Sequence, residues 1–441
     1  MVRLCSRAMT IYDAEIRHVK APKAKDQSAG KRTHSKRSGD ASTPLPAGFS
    51  FLVSRDTAMA IEPAFEFLCY ETLTREKRPS LVCSPASAKG WAEDLIDFHH
   101  YLDARGRTFE LIDEELLQGY AYDLNNSISP VTFRKFAAST IRRRWSTLTK
   151  AIRFCQSRGY LKNRFAIVEV QTPQGTALNL DVGVKLPGLN EADEHVTALH
   201  IDTLNGVFDQ LGPSPTHVED GELIINDGLT GPRLMAELCR HAGLRRAEVC
   251  DLKVQTVLNA ITNGKDNFVQ VAIQVMGKGS KKRKVPVPVW LLNALKRYAV
   301  EERARLLGPR TARGGMDHGF LFVQRTKNSR YKGKPVTPET LNRVFARARD
   351  EYLKKLASKD DIAYERASRE RITVHALRHT FALHTYVARQ TAGDPDPIKY
   401  IQLVLGHAMR QTTESIYLRS CEAHYSELES EILQRINASL K

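Results

Sequence analysis

Residues 375–386 read HALRHTFALHTY, and residues 405–417 read LGHAMRQTTESIY. Thr373 is placed to cap a helix on which His375 and Arg378, three apart, share a face that Ala382 continues. Leu377, Phe381 and Ala388 fall on roughly the opposite side, where they would bury. Arg378 is flanked by apolar residues and so needs a partner. Further on, IKYIQLVLGH (398–407) reads as an apolar helix closed by Gly406, which delivers His407 just past a helix end. Tyr417 stands ten residues beyond His407.

One chemistry suits a His, an Arg, a second His and a Tyr in that order. A tyrosine can attack a phosphodiester if cations stabilise the oxyanions of the phosphorane-like transition state. Arginine grips phosphate oxygens in a bidentate fork, and histidines hydrogen-bond the same oxygens or help move the tyrosine proton. A further group must protonate the departing 5′-oxygen. Candidate cations stand earlier in the chain. PRLMAELCRHAGLRRAEVCDL (232–252) reads as helix, Gly243 break, helix, with Arg245 just after the break. Val269, Val271, Ile273 and Val275 then alternate with polar or small residues, and MGKGSKKRKVPVPV (276–289) supplies a Gly-rich turn and a second alternating run through Arg283, Val285 and Val287. This is a β-hairpin with Lys278 at or beside its tip, from which a flexible amine reaches a leaving group.

The composition agrees with a phosphate-bearing partner. Of 441 residues, 66 are Lys or Arg and 50 Asp or Glu, a net charge of +16. That excess points to nucleic acid or an anionic membrane surface. No apolar run approaches the roughly 20 residues a spanning helix needs, and MVRLCSRAMTIYDAEIR (1–17) lacks the apolar core of a secretory signal. Seven cysteines, an odd number without CxxC pairs, fit free thiols in a reducing compartment. A cytoplasmic, DNA-associated protein is expected.

Along the chain, residues 18–48 are rich in Lys, Arg, Ser, Gly and Pro, and residues 1–48 are read as a flexible basic arm. A helical domain is read over 49–170, its periodicity beginning near Ala58 and clear by GWAEDLIDFHHYLDARG (90–106), where Trp91, Leu95, Phe98 and Leu102 share a face. Between Asp123 and Glu169 there is no acidic residue but ten Lys or Arg. Within that stretch Ile141, Trp145, Leu148, Ile152 and Cys155 form one apolar stripe, and Gly159 is placed to end the helix. Arg142, Arg143, Arg144, Lys150 and Arg153 ride on its other faces. Such charges without a counter-ion repel unless phosphates pair with them, so these five residues are candidate DNA contacts. Residues 171–196 lose the helical period and gain Pro, Gly and Asn, and are read as a linker before a second domain over 197–441.

HAGLRRAEVCDL, GKGSKKRKVPVP, HALRHT and LGHAMRQTTESIY, in that order, resemble the successive signature boxes of the tyrosine recombinase, or phage integrase, family. The resemblance covers the chain from about residue 197. The basic helical region before it is similar to that family's core-binding domain, with weaker motifs. It implies a mainly α fold with a small β-sheet: an all-α core-binding domain, then an α+β catalytic domain, the two clamping duplex DNA. It implies Arg245 and Arg378 as transition-state arginines, Lys278 as hairpin general acid, His375 and His407 as phosphate-site histidines and Tyr417 as nucleophile. Lys281 and Lys282 become backbone contacts, and Glu248 a support through a salt bridge or helix-start interaction. Two departures stand out. The His407–Tyr417 spacing is about one residue longer than usual, and RQTAGDPDPIK (389–399) looks like a small insertion. Tyr425, eight residues past Tyr417, is the alternative nucleophile, and Arg246 the alternative to Arg245, though the GLR pattern points to Arg245.

The implied activity is site-specific recombination or integration through a 3′-phosphotyrosyl intermediate, without cofactor or metal. The implied partner is double-stranded DNA at specific recombination sites, with accessory proteins. The chain would be monomeric when free and tetrameric in the synapse. Leu428, Ile432, Ile436 and Leu440 repeat every four residues along a final helix, which would pack on its own domain or on a neighbouring protomer. The alternatives are a type IB topoisomerase-like enzyme, which shares the chemistry, and a catalytically silent DNA-binding protein, which would have lost catalytic positions. His375 and His379 have zinc spacing, but no HExxH or third ligand accompanies them, and no GxxxxGK[ST] box for ATP is present.

Overall fold

The computed structural model describes residues 14–19, 45–74, 80–129, 133–172, 175–188, 198–277, 281–311, 317–328 and 330–406. The chain divides into two compact units, Met1–Asp193 and Glu194–Lys441. The architecture is mainly α, with small two-stranded antiparallel sheets.

In the first unit, β1 (Ala14–His18) pairs with β2 (Ser50–Ser54), setting Ile16 opposite Leu52. Four helices follow: α1 (Glu62–Thr72), α2 (Pro85–Asp103), α3 (Glu114–Asn126) and α4 (Ala138–Arg158). The Ser84 side chain caps α2 and Asp113 caps α3, each accepting a backbone N–H three residues on. Ile141, Trp145, Leu148, Ile152 and Cys155 of α4 are all buried, as their spacing dictates. Gly159 ends α4 at φ +78°, a left-handed conformation that favours glycine.

Two segments depart from the sequence reading. The basic arm over 1–48 contains strand β1, whose partner lies more than thirty residues on and leaves no local signal. The joint over 171–196 contains strand β4 (Gly175–Leu180), which pairs with β3 (Ile167–Thr172). The run LNLDVGVKL (178–186) carries a two-residue alternation that helical period-counting passes over. Leu180 and Val182 bury in the core beside Leu148, and Trp145 Nε1 donates to Asn179 Oδ1 at 2.9 Å.

The second unit runs through α5 (Ile201–Leu211), β5 (Thr216–Glu219), β6 (Glu222–Ile225), α6 (Gly231–Ala242), α7 (Arg246–Asp251) and α8 (Val254–Leu258). The hairpin of β7 (Gln270–Met276) and β8 (Lys282–Pro288) follows. Next come α9 (Val289–Tyr298), a π-helical turn, α10 (Ala304–Thr311), α11 (Pro338–Ala357), α12 (Asp361–Arg369), α13 (Val374–Thr391) and α14 (Pro397–Leu405). Helix α13 packs on α6 and α14, and α11 on α5. In the hairpin Ile273 faces Val285 and Val271 faces Val287, with Ile273, Val285 and Val287 turned into one large core. Caps from Thr373 to Ala376 N–H and from Asp396 to Lys399 N–H fix the starts of α13 and α14.

Candidate active site

The break between α6 and α7 is where the site begins. Gly243 takes φ +61°, and a Cβ there would stand 2.5 Å from Phe381 Cδ1 and 2.8 Å from Leu405 Cδ2. Only glycine lets α13 and α14 come this close to the turn. The turn presents Arg245 as the N-cap residue of α7. Glu248 Oε2 accepts the Arg245 backbone N–H at 2.7 Å, and Oε1 accepts from Arg245 Nη1 at 3.0 Å. Glu248 thus secures both the helix start and the side chain, the supporting role its position implies.

Arg378 is buried to 1% exposure, so its charge has to be answered from within the fold. Its Nη1 donates to the Gly243 carbonyl and Nη2 to the Leu405 carbonyl at 2.6 Å, with Glu248 Oε2 3.9 Å from Nη1. The first acceptor precedes Arg245 by two residues, and the second precedes His407 by two. Arg378 therefore joins the two backbone segments that lead into the site. The two-faced reading of α13 needs correcting here: Arg378 and Ala382 bury alongside Leu377 and Phe381, while Ala388 is exposed. The helix lies inside the unit, and neighbours cover it on both sides.

His375 starts α13 and keeps an exposed face. Crowding by the surrounding chain, then the guanidiniums of Arg378, Arg245, Arg246 and Arg371, hold its pKa below the ordinary histidine value. That shift favours the neutral imidazole, which can accept a proton or share one in a hydrogen bond. Its ring meets that of His379 edge-on at 4.4 Å. Burial works against the Glu248 charge. Hydrogen bonds from Arg283 and the Arg245 backbone, with both guanidinium charges, nonetheless keep its pKa below the ordinary glutamate value.

Arg245, Arg378, His375 and Glu248 are thus within electrostatic reach of one another. Lys278, His407, Tyr417 and the alternative Tyr425 lie outside the described residues. The flanks of Lys278 are described: Gly277 N–H donates to the Lys281 carbonyl at 2.8 Å, closing the hairpin end. Lys281 and Lys282 are exposed there. Arg283 is the residue that sequence reasoning passes over. Alternation makes it one step of a strand and nothing more, yet its guanidinium contacts both oxygens of Glu248.

In the first unit, α4 carries Arg142, Arg143 and Arg153 on exposed positions and Lys150 half-buried. The expectation that these charges lack counter-ions is overturned for two of the five residues. Arg143 Nη1 lies 2.5 Å from Asp94, and Arg144 Nη1 2.7 Å from Asp97, both carboxylates of α2. They are more than forty residues away in sequence, so a count along the chain cannot see them. Arg142 Nε donates to the Pro187 carbonyl at 2.8 Å, and Lys150 Nζ sits 5.7 Å from the Trp91 ring centroid.

A sequence profile described as the phage integrase family matches residues 228–424. Tyrosine recombinase XerC of Halalkalibacterium halodurans is 24% identical over 332 residues, spanning 75% of this chain and 86% of that protein. Tyrosine recombinase XerA of Pyrococcus furiosus is 32% identical over 196 residues, spanning 44% of this chain and 52% of that protein. Among solved structures, the XerH site-specific recombinase in a post-cleavage complex has a TM-score of 0.48 at 19% identity, covering 79% of this chain and 80% of that one. The matched span takes in Arg245, the hairpin, Arg378 and Tyr417 together, and over residues 228–424 the chain carries a domain of the phage integrase family, similar to that of tyrosine recombinases.

Proposed function

We propose that this chain is a site-specific DNA recombinase that cuts and rejoins strands through a covalent 3′-phosphotyrosyl intermediate, with Tyr417 as nucleophile. The observation that carries the reading is the joint anchoring of Arg245 and Arg378 around Gly243, beside a His375 shifted towards its neutral form. A free tyrosine of pKa about 10 is ionised about once in a thousand molecules at pH 7, a cost of about 4 kcal/mol. Preorganised cations around one phosphate offset that cost in a desolvated site. In this reading Tyr417 Oη bonds the phosphorus as the bond to the 5′-oxygen breaks, and its proton passes to a neutral histidine. Lys278 gives a proton to the departing oxygen. The phosphotyrosyl ester keeps the energy of the broken bond, so a 5′-hydroxyl of another strand can reverse the step without ATP or metal.

The partner is double-stranded DNA, supported by the net charge of +16 and by relatives named as recombinases. The active form is a tetramer on paired sites, assembled from free monomers with accessory proteins, and it works in the cytoplasm. No helix among the described residues is long and apolar enough to cross a membrane. A nicked suicide substrate tests the chemistry. Wild-type protein is expected to trap a covalent adduct, and Tyr417→Phe to bind DNA without forming one. An adduct that persists in Tyr417→Phe and vanishes in Tyr425→Phe would reassign the nucleophile.

A further inference from the structure

Beyond Val285 and Val287, the inward face of β8 is continued not by an aliphatic residue but by Arg283, with its side chain 12% exposed. Its three donors diverge. Nη1 and Nη2 bind Oε1 and Oε2 of Glu248, the latter at 2.8 Å, and Nε donates to the Val404 carbonyl at 3.0 Å. That carbonyl belongs to the last turn of α14, where the helix itself supplies no donor, and a cation there is favoured. The stem packs just as closely: a Cβ on Gly406 would stand 2.9 Å from Arg283 Cδ. A Cβ on Gly277 would stand 3.2 Å from Arg283 Nη1 and 3.6 Å from Glu248 Oε1, so the hairpin end lies directly against the ion pair. Gly277 precedes Lys278, and Gly406 precedes His407.

We propose that Arg283 is a positioning residue for strand cleavage: it registers the hairpin that bears Lys278 and the helix end that leads to His407 against the carboxylate that holds Arg245. This rests on the functional reading above. The three catalytic groups come from segments far apart in sequence, and Arg283 is bonded to the support of each. Its guanidinium touches neither nucleophile nor leaving group, so its effect on rate passes through the placement of others. An aliphatic residue would fill the space but leave Glu248 with fewer donors and the Val404 carbonyl without this one. A lysine would keep the charge and lose the divergent geometry.

The test compares Arg283→Lys and Arg283→Met with wild type on ordinary DNA and on DNA whose bridging 5′-oxygen is sulfur. The thiolate departs without a proton, so only placement of the acid ceases to matter on the second substrate. Both variants are expected to bind DNA as wild type does and to cleave ordinary DNA about 100-fold more slowly, with a loss at least about tenfold smaller on the sulfur substrate. The residual loss reflects Arg245, which both substrates need. A residue that merely holds the fold together would reduce both rates by one factor. Should Arg283→Met fail to fold, Arg283→Lys, which keeps the counter-charge of Glu248, decides alone. Equal losses on the two substrates overturn the positioning role whatever Lys278→Ala does. Lys278→Ala without sulfur rescue overturns instead the assignment of Lys278 as the acid, and leaves Arg283 judged on its own ratio.

Discussion

Gly243 concentrates several demands on one residue without a side chain. Its φ is +61°, its missing Cβ makes room for Phe381 and Leu405, and its carbonyl accepts from the buried Arg378. Gly243→Ala should therefore lower stability by about 2–5 kcal/mol, from left-handed strain plus overpacking. It should also slow cleavage by more than the folded fraction accounts for, because Arg378 is anchored there. Urea unfolding beside single-turnover cleavage checks both, and an alanine variant of wild-type stability would contradict the packing account. The break itself is legible in HAGLRR, since a glycine between two amphipathic runs has few other uses. The partners of Arg378 are not. Two of them are backbone carbonyls, and no residue type advertises a carbonyl. Nor is Arg283 legible, because strand alternation assigns it a face but not an acceptor.

Helix α4 shows both what local patterning reveals and what it hides. Its apolar stripe and its terminating glycine follow from spacing alone. The pairing of its charges does not, because Asp94 and Asp97 are carried alongside by α2. Burial pushes the Asp94 carboxyl up, in spite of Arg143 and the Thr147 hydroxyl, so this pair adds little net stability. Arg144 has only 16% of its side chain exposed and is committed to Asp97, whereas Arg142 and Arg153 stand on exposed positions. Neutralising Arg142 or Arg153 should weaken DNA binding and lower the log–log salt slope by about 0.9 for each phosphate left without its cation. Arg144→Gln should leave that slope alone and act on stability instead. Titrations over a range of salt concentrations separate the two, and an equal slope change for all three would mean that the ion pair opens on DNA. Elsewhere the hairpin of β5 and β6 turns on Asp220 and Gly221, both at positive φ. The Asp-Gly pair is a readable turn signal; the short strands around it, β5 mostly exposed and β6 mostly half-buried, lack the alternation that would draw attention to them.

At the scale of the molecule, the chain is two compact units, and the proposed catalytic groups are spread along the second. The order of the four boxes is legible because three of them set a glycine beside a candidate catalytic residue, and HALRHT follows a capping threonine. The closeness of the HAGLRR turn, HALRHT and the end of α14 is not, since it depends on the packing of α13 against α6 and α14. Assembly is proposed to rest on the final segment, where Leu428, Ile432, Ile436 and Leu440 recur every four residues in the sequence, outside the described residues. Docking of that segment on a neighbouring protomer would tie the placement of Tyr417 to the partner and keep all four strands from being cut at once. Truncation after Arg419 should leave single-site binding nearly intact and abolish the tetrameric synapse in native gels. Tetramers that form and recombine normally without it would make the segment an ordinary part of the core. The central claim, that a tyrosine of this chain becomes bonded to DNA, is tested most directly by trapping the adduct on nicked DNA, digesting it and locating the modified peptide by mass spectrometry. The account predicts a nucleotide 3′-phosphate on Tyr417; a phosphate attached through its 5′-oxygen, a modified Tyr425, or cleaved DNA with no modified tyrosine would contradict it.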